Sequence, residues 1–376
     1  MVDRVADSDS ELVETIRSAA ARFGLSERRF DTAHPELDLR LPDGSRLSAL
    51  MSVVGRPSVS IRRHRYVGLS LSDLVGLGAM DERLASFLAA AVRARKNIVI
   101  GGAMNSGKTT LVRALASVVP PRERIVTIEQ AFELGLDERS ERHPDLVALE
   151  ARAANAEGEG EISMARLVRR ALRMNADRVI VGEVLGDEVL PMLNAMSQGR
   201  SGSMCTIHAD SSAGVFNRLA SYAVQAPERL PLESTNILIA GAVHFVVYIA
   251  VRDSGVDGRS GDGSIATEHL SGWGRGEFFG RERGGLSDWE PSDGLDDSFD
   301  RRPRFEAMRR ERCISSVREV VDAEGLQVIS NEVFEPGPDG RAVPGAPLRS
   351  STLDDLVAHG YDPAFAGREG SRSGWG

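Results

Sequence analysis

Cysteine is nearly absent, with only Cys205 and Cys313 in 376 residues. They form no CxxC pair and no disulfide framework, which excludes a cross-linked secreted scaffold and points to a reducing cytoplasm. Cys205 stands inside an apolar run and reads as a small buried hydrophobe. Long hydrophobic runs are lacking too. The most membrane-like segment, ILIAGAVHFVVYIAV from Ile237 to Val251, is too short to span a bilayer and carries His244 at its middle. Its β-branched second half predicts a helix end running into a buried strand. No apolar leader opens the chain, which is charged from Asp3. The expectation is a soluble cytoplasmic protein, with any association at the inner face of the plasma membrane peripheral. An excess of positive charge is missing as well: the formal net charge of −9 argues against a protein held to nucleic acid by general electrostatic attraction. There is no internal repeat.

What is present is ordinary globular material, 41% hydrophobic and 27% charged, enough for two domains or for one large domain with appendages. Residues 10–23 have helical apolar spacing with Ser10 as the expected N-cap. LDLRLPDGSRLSALMSVV alternates around Pro42-Asp43-Gly44 and predicts a hairpin, and SVSIRRH predicts a strand ending in Arg62, Arg63 and Arg65. This gives a small N-terminal α/β unit over 1–66 and a connector over 67–80. From 81 to 252 helices alternate with short apolar runs (NIVIGG, RIVTIE, RVIVGE, SMCTIHA), the pattern of an open α/β sheet with parallel strands. Residues 253–302 are rich in Gly, Ser and Asp and read as a disordered insertion. Antiparallel strands and a short helix are expected over 303–362, and a loose tail over 363–376.

NIVIGGAMNSGKTTLVRALA contains a full G-x-x-x-x-G-K-[ST] match between an expected strand and an expected helix. Gly102 and Gly107 let the backbone wrap so that the N–H groups of Asn105, Ser106, Gly107, Thr109 and Thr110 face phosphate oxygens, with the helix N-terminus adding its dipole. Lys108 would reach the β- and γ-phosphates of ATP, and the Thr109 hydroxyl would hold Mg²⁺. No N-K-x-D base-reading motif is present, which disfavours a guanine-specific GTPase. LSGWG at Leu270 is only a partial echo of the ABC-transporter signature.

Three further apolar runs end in polar side chains. DRVIVGEV carries Glu183, expected on a strand beside the P-loop strand and able to orient and deprotonate an attacking water. RIVTIEQAFEL carries Glu129 and Glu133, which either serve Mg²⁺ or the water, or form an acidic helix start. GSMCTIHADS carries His208; a strand end in the same sheet would let its Nε2–H donate to a γ-phosphate oxygen and sense ATP against ADP. No Cys or His partner stands at metal-ligand spacing from it.

Together these blocks resemble the type II/IV secretion ATPases, and among them the pilus-assembly TadA/CpaF branch. The resemblance rests on the P-loop, ERIVTIEQAFEL as an acid box, LEARAANAEGEGEISMARLVRRALRMNADRVIVGEV as an extended Walker B region, and SQGRSGSMCTIHADS as a histidine box. It implies a RecA-like P-loop core with C-terminal antiparallel strands, and a cytoplasmic hexameric motor docked on an inner-membrane platform protein. Such a motor turns ATP hydrolysis into subunit movement for pilin assembly or export, and no nucleic-acid partner is implied. Carried over by position, Glu183 is the catalytic acid, Glu129 and Glu133 the acid box, and His208 the histidine-box residue. Arg152 is a candidate for neutralising transition-state charge, and Arg62-Arg63 a basic end that can approach a neighbouring subunit's nucleotide. The departures are Leu185 where the branch has arginine, Gln130 where it has aspartate, Arg200 in place of a histidine, and an N-terminal domain that reads as shortened. They leave open a weakly hydrolysing structural subunit of the same machinery, and a conjugation-type DNA-transfer ATPase remains a further alternative.

Overall fold

The computed structural model describes residues 6–23, 29–62, 68–137, 141–155, 158–198, 201–254, 309–362 and 364. The insertion expected beyond residue 254, the tail beyond 364, and Arg63, Arg65, Gly199 and Arg200 lie outside them. The chain divides into two compact units. The smaller is built from helix α1 (Asp9–Phe23) and strands β1 (Glu36–Arg40), β2 (Arg46–Leu50) and β3 (Ser58–Arg62), ordered β1-β2-β3 in one sheet. The hairpin expected at Pro42-Asp43-Gly44 is there, with Gly44 at φ 80° in the left-handed region its turn requires. The N-cap of α1 differs from expectation. Ser8 rather than Ser10 accepts from the Glu11 amide at 3.1 Å, so the cap lies two residues earlier and the helix begins at Asp9.

The larger unit is an α/β layer structure around a nine-stranded sheet, ordered β12-β11-β10-β9-β4-β8-β7-β5-β6. Its parallel half comprises β4 (Ile98–Gly102), β5 (Ile125–Glu129), β6 (Leu146–Glu150), β7 (Arg178–Val184), β8 (Met204–His208) and β9 (Phe245–Ser254). The strands read as near-continuous apolar runs because both faces of the sheet are covered. Successive side chains go to opposite sides. Ile98, Ile100, Ile180, Met204, Phe245 and Val247 join one apolar cluster with helices α3 (Glu82–Arg93) and α4 (Lys108–Ala116). Val99, Val179, Val181, Cys205, Ile207 and Val246 join the other, with α5 (Met164–Ala171), α6 (Val189–Ser197), α7 (Gly214–Gln225) and α8 (Leu232–Ala242). At the centre of the first cluster Phe87 meets the rings of Phe245, Phe334 and Tyr361 edge-on, at centroid distances of 5.1, 5.2 and 5.8 Å.

One expectation is corrected and two elements are added. The connector over 67–80 contains a helix, α2 (Leu71–Gly76), started by a capping box between Ser70 and Asp73. The strand carrying Glu183 does not lie beside the P-loop strand, because β8 is inserted between β4 and β7. The run LVALE forms β6, a half-buried edge strand absent from the sequence reading because its alternation is weak. The expected antiparallel strands are present as β10 (Arg309–Glu324), β11 (Gln327–Pro336) and β12 (Ala342–Pro344), and they extend the central sheet; α9 (Ser350–Ala358) follows them. No helix among the described residues is long and apolar enough to cross a membrane.

Phe87 is wholly buried and central, so Phe87→Ala is expected to cost about 3–5 kcal/mol of unfolding free energy. Urea denaturation measures this, and a loss under about 1 kcal/mol would contradict the packing described.

Candidate functional site

The P-loop follows from β4 with no spare room. A Cβ at Gly102 would come within 2.5 Å of the Ser106 Oγ and 2.9 Å of the Ile249 carbonyl, so only glycine lets the loop close over the strand end. Asn105 and Gly107 take φ of 58° and 99°, turning the chain so that α4 starts at Lys108. Among the described residues, the amides of Asn105, Gly107, Lys108, Thr109 and Thr110 donate to no protein acceptor. The buried Ser106 Oγ has none either. A run of open N–H groups at a helix N-terminus is the chemistry of a phosphate cradle.

Lys108 is only 7% exposed, and its ammonium donates to the Gly102 and Ala103 carbonyls at 3.2 and 3.0 Å. Its third contact is His208 Nδ1 at 3.1 Å, and His208 Nε2 lies 2.8 Å from a Glu183 carboxylate oxygen. An ammonium can only donate, so Nδ1 accepts and the ring proton sits on Nε2, directed at Glu183. Lysine, histidine and glutamate form one directed chain, with Lys108 Nζ 3.9 Å from the same Glu183 oxygen. Burial pushes the Lys108 ammonium below the usual lysine range, while the Glu183 and Glu133 carboxylates oppose that shift.

The positions of these groups come from strand register. Gly102 pairs with His208 across β4 and β8, which brings the loop lysine to the imidazole. The β7–β8 ladder is irregular between Val181 and Val184, and the Thr206 hydroxyl donates to the Gly182 carbonyl there at 2.7 Å. Glu183 therefore emerges from a break in the ladder, half-buried.

The remaining sequence-predicted residues fare differently. Glu129 is buried at the end of β5, and one carboxylate oxygen accepts from the Glu133 and Leu134 amides, each at 2.8 Å. It holds the acid-box loop, while Arg113 from α4 donates to the Leu134 carbonyl at 2.8 Å and to that of Glu133. Glu133 is brought within electrostatic reach of Lys108 but makes no hydrogen bond with it. Arg152 is not brought to the cluster: its Nε donates to the Gly160 carbonyl at 2.8 Å, and it bonds none of Lys108, Glu183 or His208. Leu185 is exposed, and Glu188 accepts from the Leu185 and Gly186 amides, shaping the turn after Glu183.

Two contributors escaped the sequence reading. Gly182 admits Glu129, whose Cγ would lie 2.9 Å from a Cβ at that position; the glycine before the acid was the available signal. Arg312 on β10 donates its Nε to the Asn105 carbonyl at 2.9 Å, across a sequence separation no local motif spans.

Burial pushes the Glu129 carboxyl from 4.5 to about 7, against the two amides that favour its charged form. Between those pH values the folded protein keeps a proton that the unfolded chain has released, so stability falls as pH rises through that window. Glu129→Gln removes the fall. Relative to wild type it is expected to gain on the order of 2–3 kcal/mol at pH 8, with the gain shrinking towards pH 4.5. Thermal melts at pH 5 and pH 8 test this, and an equal difference at both would contradict it.

The signature of the family described as "Type II/IV secretion system protein" matches residues 4–250. A putative conjugal transfer protein of Mycobacterium tuberculosis is 38% identical over 245 residues, covering 62% of this chain and 67% of its own. The type IV secretion system protein PtlH of Bordetella pertussis is 32% identical over 269 residues, covering 64% and 76%. Among solved structures, the Brucella suis type IV secretion VirB11 ATPase, in complex with sulphate, is 29% identical with a TM-score of 0.39, covering 64% of this chain and 78% of that one. The chain belongs to the type II/IV secretion system protein family.

Proposed function

We propose that the chain is an ATP-hydrolysing motor subunit of a secretion system. The observation that carries this reading is the meeting of Lys108, His208 and Glu183 at the mouth of a loop in which the Asn105, Gly107, Lys108, Thr109 and Thr110 amides have no acceptor among the described residues. In the chain as described, Lys108 spends its three protons on two loop carbonyls and an imidazole. Phosphate oxygens are better acceptors for a desolvated ammonium, so ATP draws Lys108 towards its β- and γ-phosphates. His208 then keeps its Nε2–H on Glu183 or turns it to a γ-phosphate oxygen, making the imidazole responsive to the terminal phosphate. Glu183, steadied by that hydrogen bond, accepts a proton from the attacking water. The water oxygen bonds to the γ-phosphorus, the bond from that phosphorus to the β–γ bridging oxygen breaks, and ADP carries away the electron pair.

The Thr109 hydroxyl, in the first turn of α4, is the hard oxygen ligand that would hold Mg²⁺ together with phosphates and water. When bound, the ion would neutralise charge developing on the β- and γ-oxygens.

Lys108→Ala is expected to abolish nucleotide binding. Glu183→Gln is expected to bind ATP yet release phosphate at least about 100-fold more slowly. A phosphate-release assay on the full chain, paired with titration of a non-hydrolysable ATP analogue, measures both. Turnover in Glu183→Gln equal to wild type removes that residue from the mechanism. Negligible turnover in a wild-type protein that binds ATP favours a structural subunit, a reading motivated by Leu185.

The finer assignment follows the motif resemblance: a Tad-type pilus-assembly motor, hexameric, cytoplasmic and docked on an inner-membrane platform protein. A DNA-transfer motor is the second reading, favoured by the conjugal-transfer description of the Mycobacterium tuberculosis relative. The net charge of −9 favours the first. Titration with single- and double-stranded DNA separates them: the pilus-assembly reading expects no salt-dependent binding, and a steep salt dependence would replace it with DNA transfer.

A further inference from the structure

Arg312 lies outside every motif of the P-loop chemistry, yet it touches the P-loop. It stands near the start of β10, two strands from β4 and on the side of β4 away from β8 and β7. Its Nε donates to the Asn105 carbonyl at 2.9 Å. Its Cδ would lie 3.8 Å from a Cβ built on Gly107, so the stem of the side chain runs over the left-handed glycine of the loop. The side chain is exposed, and among the described residues its two terminal nitrogens have no acceptor. Holding one loop carbonyl uses one of five N–H donors and leaves four, with a full positive charge beside a row of open amides.

Sheet order gives the direction in which a nucleotide lies. His208 and Glu183 sit on β8 and β7, and the terminal phosphate of ATP belongs beside them on the reading above. The rest of the nucleotide then leaves the P-loop away from β8, towards β9 and β10, where Arg312 waits. We propose that Arg312 is a nucleotide-binding residue of the same chain, donating charge-assisted hydrogen bonds to the α-phosphate end of bound ATP or ADP. The guanidinium keeps its Nε on Asn105 and gives its outer edge to phosphate oxygens, a geometry suited to a planar fork and not to a point charge. Because the contact lies away from the γ-phosphate, it serves ATP and ADP alike. It fastens the C-terminal strands to the nucleotide whichever form is bound.

This inference rests on the ATP-motor reading, and the experiment separates the two. Binding of ADP and of a non-hydrolysable ATP analogue is measured by calorimetry on the full chain for wild type, Arg312→Ala, Arg312→Gln and Arg312→Lys. Nucleotide-free melting temperatures verify that each variant is folded. In Arg312→Ala both dissociation constants are expected to rise by the same factor, about 10-fold or more. Arg312→Gln, which can still donate to the Asn105 carbonyl but carries no charge, is expected to remain as weak as Ala. Arg312→Lys is expected to recover part of the loss.

Unchanged affinity in Arg312→Ala overturns the proposal. Full recovery in Arg312→Gln overturns it in favour of a purely structural hold on the loop, and a loss confined to the ATP analogue overturns it in favour of a γ-phosphate contact. A wild-type chain that binds neither nucleotide sinks the motor reading and this inference together; wild-type binding with an indifferent Arg312→Ala sinks only the inference.

Discussion

The chemistry of this chain depends on β4 and β8 lying side by side and in step. A slip of one residue would send His208 to the opposite face of the sheet and strand Lys108 without its third acceptor. The register is fixed at the far end of the strands by Asn97, a fully buried amide. Its Nδ2 donates to the Met196 and Ala242 carbonyls at 2.9 and 2.6 Å, and its Oδ1 accepts from the Gly202 and Ser203 amides at 2.8 and 3.1 Å. One side chain thus ties the start of β4 to the segments entering β8 and β9. A buried amide with every hydrogen bond made tolerates no alternative pairing, since a shift would leave groups unsatisfied at about 1–3 kcal/mol each. Gly202 contributes to the same end. At φ 92° it passes so close to the buried Arg178 guanidinium that a Cβ would lie 2.5 Å from one of its nitrogens.

A second constraint is electrostatic. Taking the Lys108 ammonium out of water is costly, and the Glu183 carboxylate, 3.9 Å away, compensates only in part. The loop carbonyls and the imidazole satisfy its protons without neutralising its charge. A lysine in that position holds its proton less firmly than usual and gains from meeting a polyanion. On the proposed reading, the site suits phosphate by what it withholds from the lysine as much as by what it offers.

The parallel core was legible because its strands are buried on both faces and its loops carry marked turn chemistry. NIVIGG, RIVTIE, RVIVGE and SMCTIHA each fold as read, and the convergence of Lys108, Glu183 and His208 follows from their places at strand ends. What the sequence hid was lateral order. Nothing in a single strand says which neighbour it takes, so the insertion of β8 between β4 and β7 was invisible, as was the reach of Arg312. Edge elements also escaped, because half-buried LVALE lacks the clear pattern that burial imposes. Glu129 shows the limit for side chains. Its position at a strand end was readable, whereas its use of one oxygen to bind the Glu133 and Leu134 amides depends on how the next loop folds back.

Cys205 lies three residues before His208 on β8, wholly enclosed, and burial pushes its thiol well above the ordinary range. A thiol so enclosed is closed to alkylating and oxidising reagents while the central sheet is intact. Its accessibility then registers the opening of the strand that carries the imidazole, and Cys313, also buried, does the same for the C-terminal strands. The two scarce thiols are thus natural reporters on the two halves of one continuous sheet.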